Sequence, residues 1–440
     1  MNASHTADAR SRRFTIVVGA GVGNAVEWYD FATYGLMAVT MAKLFFPSGN
    51  EASSLLTTFA VFGVAFFLRP LGGVVFGIIG DRIGRRATLS LAILIMCGCT
   101  ALIGVLPTHA SAGLVASILL VVCRLGQGFA AGGEFAGAAA FLVEHAPRRR
   151  RGLFSSFLVV STSVGLLIAL GVVTTVSLMT GPAFEQWGWR IPFLIALPLG
   201  LIGLFIRLRL EDTPAFKELR ENDGIESQPL RTAFSEHGRV ILTVFLSLIP
   251  VAVGFYILFT YLPTYIQQTT QLGRTTALVS NSVAVVTCAV LLPIFGAWSD
   301  RIGRRRILQM GAAGFVLLPV PALMLAGNGT VAGAVVGQLL LALPMAATAS
   351  MTAAIIVESF PVAVRYTAGS VAYNGAQVLF GATAPYVATL LATQTGNKSA
   401  SGYYIGALCL ISFLAVTLML RETKTVDESA AQVAPAPDPV

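Results

Sequence analysis

The chain has 440 residues, of which 55% are hydrophobic and 11% charged, with a formal net charge of +8. A soluble protein carries about 25% charged residues, so this composition excludes an ordinary water-soluble enzyme and points to a bilayer. A positive balance alone would suit nucleic acid, but the basic residues are distributed by side of the membrane, which excludes that partner.

Crossing a bilayer takes about 20 apolar residues. Hydropathy places such stretches at 14–41, 55–79, 87–107, 113–144, 152–179 and 189–210. Six more follow at 240–267, 275–299, 306–326, 331–358, 366–393 and 402–421. The predicted fold is an all-α membrane protein with 12 transmembrane helices in two six-helix halves. Residues 1–13 form an N-terminal tail, 14–210 the first half, 211–239 a linker, 240–421 the second half and 422–440 a disordered tail.

Loops on one side hold Arg10, Arg12, Arg13, Arg82, Arg85, Arg86, Arg148 to Arg151, Arg207, Arg239, Arg301, Arg304 to Arg306, Arg365 and Arg421. Loops on the other side hold only Lys43, Arg190, Arg274 and Lys398. By the positive-inside rule both termini are cytoplasmic. The first apolar segment carries Glu27 and Asp30 and has the length of a span, so it is no cleavable leader.

Two patterns recur. Asp-Arg-Ile-Gly-Arg-Arg stands at Asp81–Arg86 and at Asp300–Arg305, with Gly77 and Gly296 four residues ahead. Glu144-x-x-Pro147-x-x-x-Arg151 returns as Glu358-x-x-Pro361-x-x-x-Arg365. The shared order and polarity imply a parallel duplication, a repeat plan of secondary transporters. Asp81 and Asp300 close a span, where each can pair with an arginine or with the positive end of a helix.

Charges inside a bilayer cost at least ~2.5 kcal/mol each and are functional candidates by default. They lie in the first half only: Glu27 and Asp30 in span 1, Arg69 in span 2, Arg124 and Glu134 in span 4. Glu27 and Asp30 share a helix face. A carboxylate in low dielectric takes up a proton more readily, and a neighbouring arginine opposes this. Glu27, Asp30 and Glu134 are therefore the proton-coupling candidates, with Arg69 and Arg124 as counter-charges or substrate-carboxylate ligands. A fixed structural ion pair is the competing reading. Trp28, Tyr34, Gln127, Tyr256, Tyr373 and Asn374 are candidates to line the substrate site, where aromatic faces suit a quaternary ammonium. Tyr261 and Tyr265, near the outer end of span 7, are assigned to the interfacial aromatic belt. His5, His109, His145 and His237 fall in tails and loops, so no metal site is expected.

The duplicated Gly-x-x-x-Asp-Arg-x-Gly-Arg-Arg loop resembles the signature of the major facilitator superfamily. Gly23-Asn24-x-x-Glu27-Trp28-Tyr29-Asp30-Phe31, Arg124-Leu-Gly-Gln127-Gly128 with Gly132-Gly133-Glu134, and Trp187-Gly-Trp-Arg-Ile-Pro-Phe193 narrow the likeness to its metabolite:proton symporters. That resemblance implies a monomeric transporter of the bacterial cytoplasmic membrane, surrounded by lipid and driven by a proton gradient without a cofactor. It also implies a cytoplasmic latch at Gly77, Asp81, Arg82, Arg85, Glu144, Arg151, Gly296, Asp300, Arg301, Arg304, Glu358 and Arg365. Proton symport of a small zwitterionic osmolyte such as proline or glycine betaine leads. A mono- or dicarboxylate is the second reading, and proton-driven export of an organic compound the third.

Overall fold

The computed structural model describes residues 21–73, 75–76, 85–133, 135, 138–139, 142–143, 146–208 and 229–422. Gly77, Asp81, Arg82, Glu134 and Glu144 lie outside the described residues, as does the side chain of Arg85.

The helical stretches in chain order are α1 (21–45, interrupted by a turn at Met37), α2 (Glu51–Gly73), α3 (Arg85–Val105), α4 (Leu114–Ala130), α5 (Arg151–Thr180) and α6 (Arg190–Leu208). Then come α7 (229–269), α8 (Arg274–Ile302), α9 (304–326), α10 (Val331–Glu358), α11 (362–395) and α12 (Ala400–Leu418). Seven of the described helices are long and apolar enough to cross a membrane, and the bent pair that makes α9 would add an eighth. The described residues contain no strand. Helix is the expected outcome in hydrocarbon, because it satisfies every backbone group within one segment. α5 has 30 residues, about 45 Å at helical rise, which exceeds the ~30 Å hydrocarbon layer.

Side chains sort by face. Val122, Leu178, Phe205, Val290, Ile294 and Leu414 are exposed, as lipid-facing residues are. Trp28, Tyr29, Tyr34, Phe62, Phe66 and Tyr256 are almost wholly buried. Tyr261 and Tyr265 are buried too, at 3% and 4% exposure, so the belt assignment is corrected. Tyr265 Oη donates to the Leu323 carbonyl at 3.1 Å, which ties α7 to α9. Hydropathy fixed their depth but not the direction in which they face.

Two stretches beside the assigned boundaries are structured. Residues 229–239, assigned to the linker, belong to α7. Glu422, assigned to the tail, accepts hydrogen bonds from the backbone N–H groups of Arg304 (2.8 Å) and Arg305 (3.2 Å), in the first turn of α9. Gly303, at φ +103°, makes the sharp turn that lets α9 start directly after α8.

The halves meet most closely where α5 crosses α8. A Cβ on Gly152 would lie 2.6 Å from the Gly296 carbonyl oxygen, and one on Gly296 would lie 2.7 Å from the Gly152 oxygen. Small residues allow such backbone approach in membrane bundles. Further along the interface a Cβ on Gly63 would reach the Ala382 carbonyl oxygen at 3.0 Å, and one on Gly35 the Thr260 methyl at 2.9 Å. Glycines therefore bring the two halves close together at both places.

Both α7 and α11 contain one π-helical stretch, Ile257–Tyr261 and Gln377–Gly381. Such bulges disturb the carbonyl ladder and often sit beside functional sites. In α7 the Leu258 carbonyl receives a hydrogen bond from Asn281 Nδ2 at 2.8 Å, and Asn281 also donates to Gln338 Oε1 at 2.6 Å.

Candidate substrate and proton site

Helical spacing brings Glu27, Trp28, Asp30 and Tyr34 to the interior of the first half, where all four are buried. Glu27 and Arg69 form an ion pair: Arg69 Nη2 donates to Glu27 Oε1 at 3.1 Å, and each side chain is 2% exposed. The Arg69 guanidinium also lies 4.5 Å from the Phe31 ring centroid and 4.6 Å from that of Phe66. Neutralising partner and aromatic faces together offset the loss of hydration.

Asp30 is different. It is fully buried, its Oδ2 accepts a hydrogen bond from the Cys97 thiol at 3.7 Å, and its Oδ1 has no hydrogen-bond partner. No lysine or arginine among the described residues reaches it within ion-pair distance. Arg124 is equally buried and is held by neutral groups. Its Nη1 donates to Gln127 Oε1 at 2.7 Å and its Nη2 to the Phe62 carbonyl at 3.2 Å. Gln127 Nε2 in turn donates to Thr100 Oγ1 at 2.6 Å, and the Arg124 guanidinium stacks 4.4 Å over Tyr34. Among the described residues, an acid without a paired cation and a cation without a paired acid thus share one interior, with Gln127, itself bonded to Thr100, holding the cation.

A small cavity lies between the halves, lined by Trp28, Phe135, Thr162, Phe255, Tyr373 and Gln377 among others. Its volume is about 20 Å³, enough for about one water. Phe135 and Tyr373 stack across the interface at 4.2 Å and 6°, while Trp28 and Phe255 cross it at 4.6 Å and 57°. Trp28 Nε1 donates to Asn24 Oδ1, and Asn24 Nδ2 donates to Ser161 and Thr162 of α5. Tyr256 packs on Phe62 and Phe66, and its hydroxyl is buried without a partner. Asn374, by contrast, is half-buried beside Tyr373 and does not line the cavity.

At the arginine-rich end, Asp300 accepts hydrogen bonds from the backbone N–H groups of Gly152 (2.9 Å) and Leu153 (3.0 Å), in the first turn of α5. Arg304 Nη1 donates to Asp300 Oδ1 at 2.7 Å, and its Nη2 to Glu358 Oε1 at 3.2 Å. Arg365 Nε donates to the Phe360 carbonyl. Ser155 extends the contact, donating to the Ser350 carbonyl and accepting from the Ala354 N–H. Arg151 opens α5, whereas Arg301 is exposed at the end of α8. Sequence reading missed Ser155, which carries no motif, and Glu422, which sits beyond the last apolar residue.

Two packed helical halves, a small cavity between them and buried charges beside it define a membrane transporter rather than an enzyme. The profile of the Major Facilitator Superfamily matches residues 20–292 and 269–440. The chain belongs to this superfamily and, within it, to the metabolite symporters that include the proline/betaine transporters. It is 34% identical over 418 residues to a proline/betaine transporter of Salmonella typhimurium, covering 92% of this chain and 83% of the relative. A glycine betaine/proline/ectoine/pipecolic acid transporter of Dickeya dadantii is 34% identical over 426 residues, covering 94% and 84%. The xylose transporter of E. coli in a partially occluded inward-open conformation shares the fold, with a TM-score of 0.74 at 19% identity over 94% of this chain and 99% of that one. The protein is a multi-pass transporter of the cytoplasmic membrane.

Proposed function

We propose that the chain is a proton-coupled importer of a small zwitterionic osmolyte, proline or glycine betaine. It works as a monomer of twelve spans with both termini in the cytoplasm, and the arginine-rich end is the cytoplasmic one. Asp30 carries the proton. The observation behind this assignment is that Asp30 is fully buried and ion-paired to no described lysine or arginine, while Glu27 already has Arg69. When Asp30 loses its proton, Arg124 trades Gln127 for the aspartate; when Asp30 is protonated, Arg124 is available to a substrate carboxylate. Trp28, Phe255 and Tyr373 offer faces to the ammonium group. Commitment of Arg69 to Glu27 leaves one arginine for an anion, which favours a single carboxylate over a di- or tricarboxylate.

The cavity is too small for such a ligand, so the halves must part before it can bind. Alternating access supplies that motion. Thermal shift of the purified chain with proline, glycine betaine, α-ketoglutarate, shikimate and citrate tests the substrate. Stabilisation by proline or betaine alone supports the reading, and stabilisation by only a di- or tricarboxylate overturns it.

A further inference from the structure

The end opposite the arginine-rich loops carries its own charge contact between the halves. Arg274, the first residue of α8, donates from Nη2 to Glu185 Oε1 at 3.2 Å and to Thr40 Oγ1 at 3.0 Å. Glu185 belongs to the turn between α5 and α6, and Thr40 to α1, so both partners lie in the other half. The Arg274 guanidinium stacks 4.5 Å from the Phe184 ring centroid, and its side chain is 20% exposed. A second cation shares the same carboxylate oxygen: Lys43 Nζ lies 3.0 Å from Glu185 Oε1, and both of those side chains are about half exposed.

We propose that Arg274 and Glu185 form an outer-face latch, with Lys43 as the resident partner that receives the carboxylate when the latch opens. Lys43 and Glu185 stay in one half, so their pair survives separation of the halves. Arg274 leaves with the other half, giving up Glu185, Thr40 and the Phe184 face together. The latch can open without stranding Glu185, and that lowers the barrier between the closed and open states. The contact lies at the far end of the bundle from Asp300 and Gly152, so the two latches close a central cavity from both sides. No motif marks either residue; the pairing spans 89 positions and arises only in the packed molecule.

The two cations therefore have opposite effects. Removing Arg274 favours opening, whereas removing Lys43 leaves Glu185 dependent on Arg274 and favours closure. Thr40 is 1% exposed under Arg274, so in a Thr40→Cys background, which gives up the Arg274–Thr40 bond but keeps the Arg274–Glu185 pair, labelling by a membrane-impermeant maleimide reads opening. In the full-length chain in vesicles, Arg274→Gln and Glu185→Gln speed labelling several-fold, while Lys43→Gln slows it. Unchanged labelling in Arg274→Gln, or a shift of the same sign in Arg274→Gln and Lys43→Gln, overturns the proposal. If Thr40→Cys does not fold, amide exchange over residues 262–272 in the purified chain gives the same ordering, with the same contrary outcomes. Neither readout uses a transported ligand, so a wrong substrate assignment leaves this test intact.

Discussion

Asp300 accepts a 2.9 Å hydrogen bond from the backbone N–H of Gly152, so a carboxylate at the end of one half sits on a helix N-terminus of the other. The N-terminal amides of α5 have no intrahelical acceptor and carry the positive end of the helix dipole. Asp300→Asn keeps the size of the side chain but removes the charge. We expect it to weaken this contact by about 1–2 kcal/mol. Faster hydrogen exchange at the Gly152 and Leu153 amides, with little change in the middle of α5, is the predicted result.

Close packing of α5 on α8 depends on two glycines. A methyl on Gly296 meets the Gly152 carbonyl oxygen and the Ser156 side chain at under 3 Å. Gly296→Ala is expected to lower stability by about 1–3 kcal/mol, as overpacking does. Gly171→Ala is the control, because nothing lies within 4 Å of its Cβ. Melting of the two variants in detergent should differ in that order, with Gly171→Ala neutral or slightly stabilised.

Glu27 and Asp30 should separate experimentally. Glu27→Gln removes the carboxylate paired with Arg69, a loss expected to destabilise the protein by about 3–5 kcal/mol. Adding Arg69→Gln should recover part of that loss, because no buried charge is then stranded. Asp30→Asn lacks this penalty, since no described lysine or arginine is paired with Asp30 in this conformation and Arg124 keeps Gln127 and the Phe62 carbonyl. Thermal melting of the two single variants and the double variant checks the ordering.

Much of the helical plan was legible because hydropathy reports span length, and the repeated arginine clusters report span ends. Asp300 was expected to meet an arginine or a helix N-terminus, and it meets both, in Arg304 and α5. Its partner at Gly152 lies 148 positions away, a tertiary fact with no local signal. Tyr261 and Tyr265 were placed in the belt because a span that is apolar all round gives no periodicity to show which side faces the interior. Glu185 went unnoticed as a lone acid in a short turn, and its meaning comes only from Lys43 and Arg274 converging on one oxygen. Glu27 and Asp30 looked equivalent at helical spacing; only the packing of α2 gives Arg69 to one of them.

Proton coupling through Asp30 is the central claim, and Asp30→Asn in proteoliposomes tests it most directly. Uptake of proline or glycine betaine driven by an imposed proton gradient should be lost, while exchange of labelled for unlabelled substrate persists and no longer depends on pH. Gradient-driven accumulation at the wild-type level, with its pH dependence intact, would contradict the account.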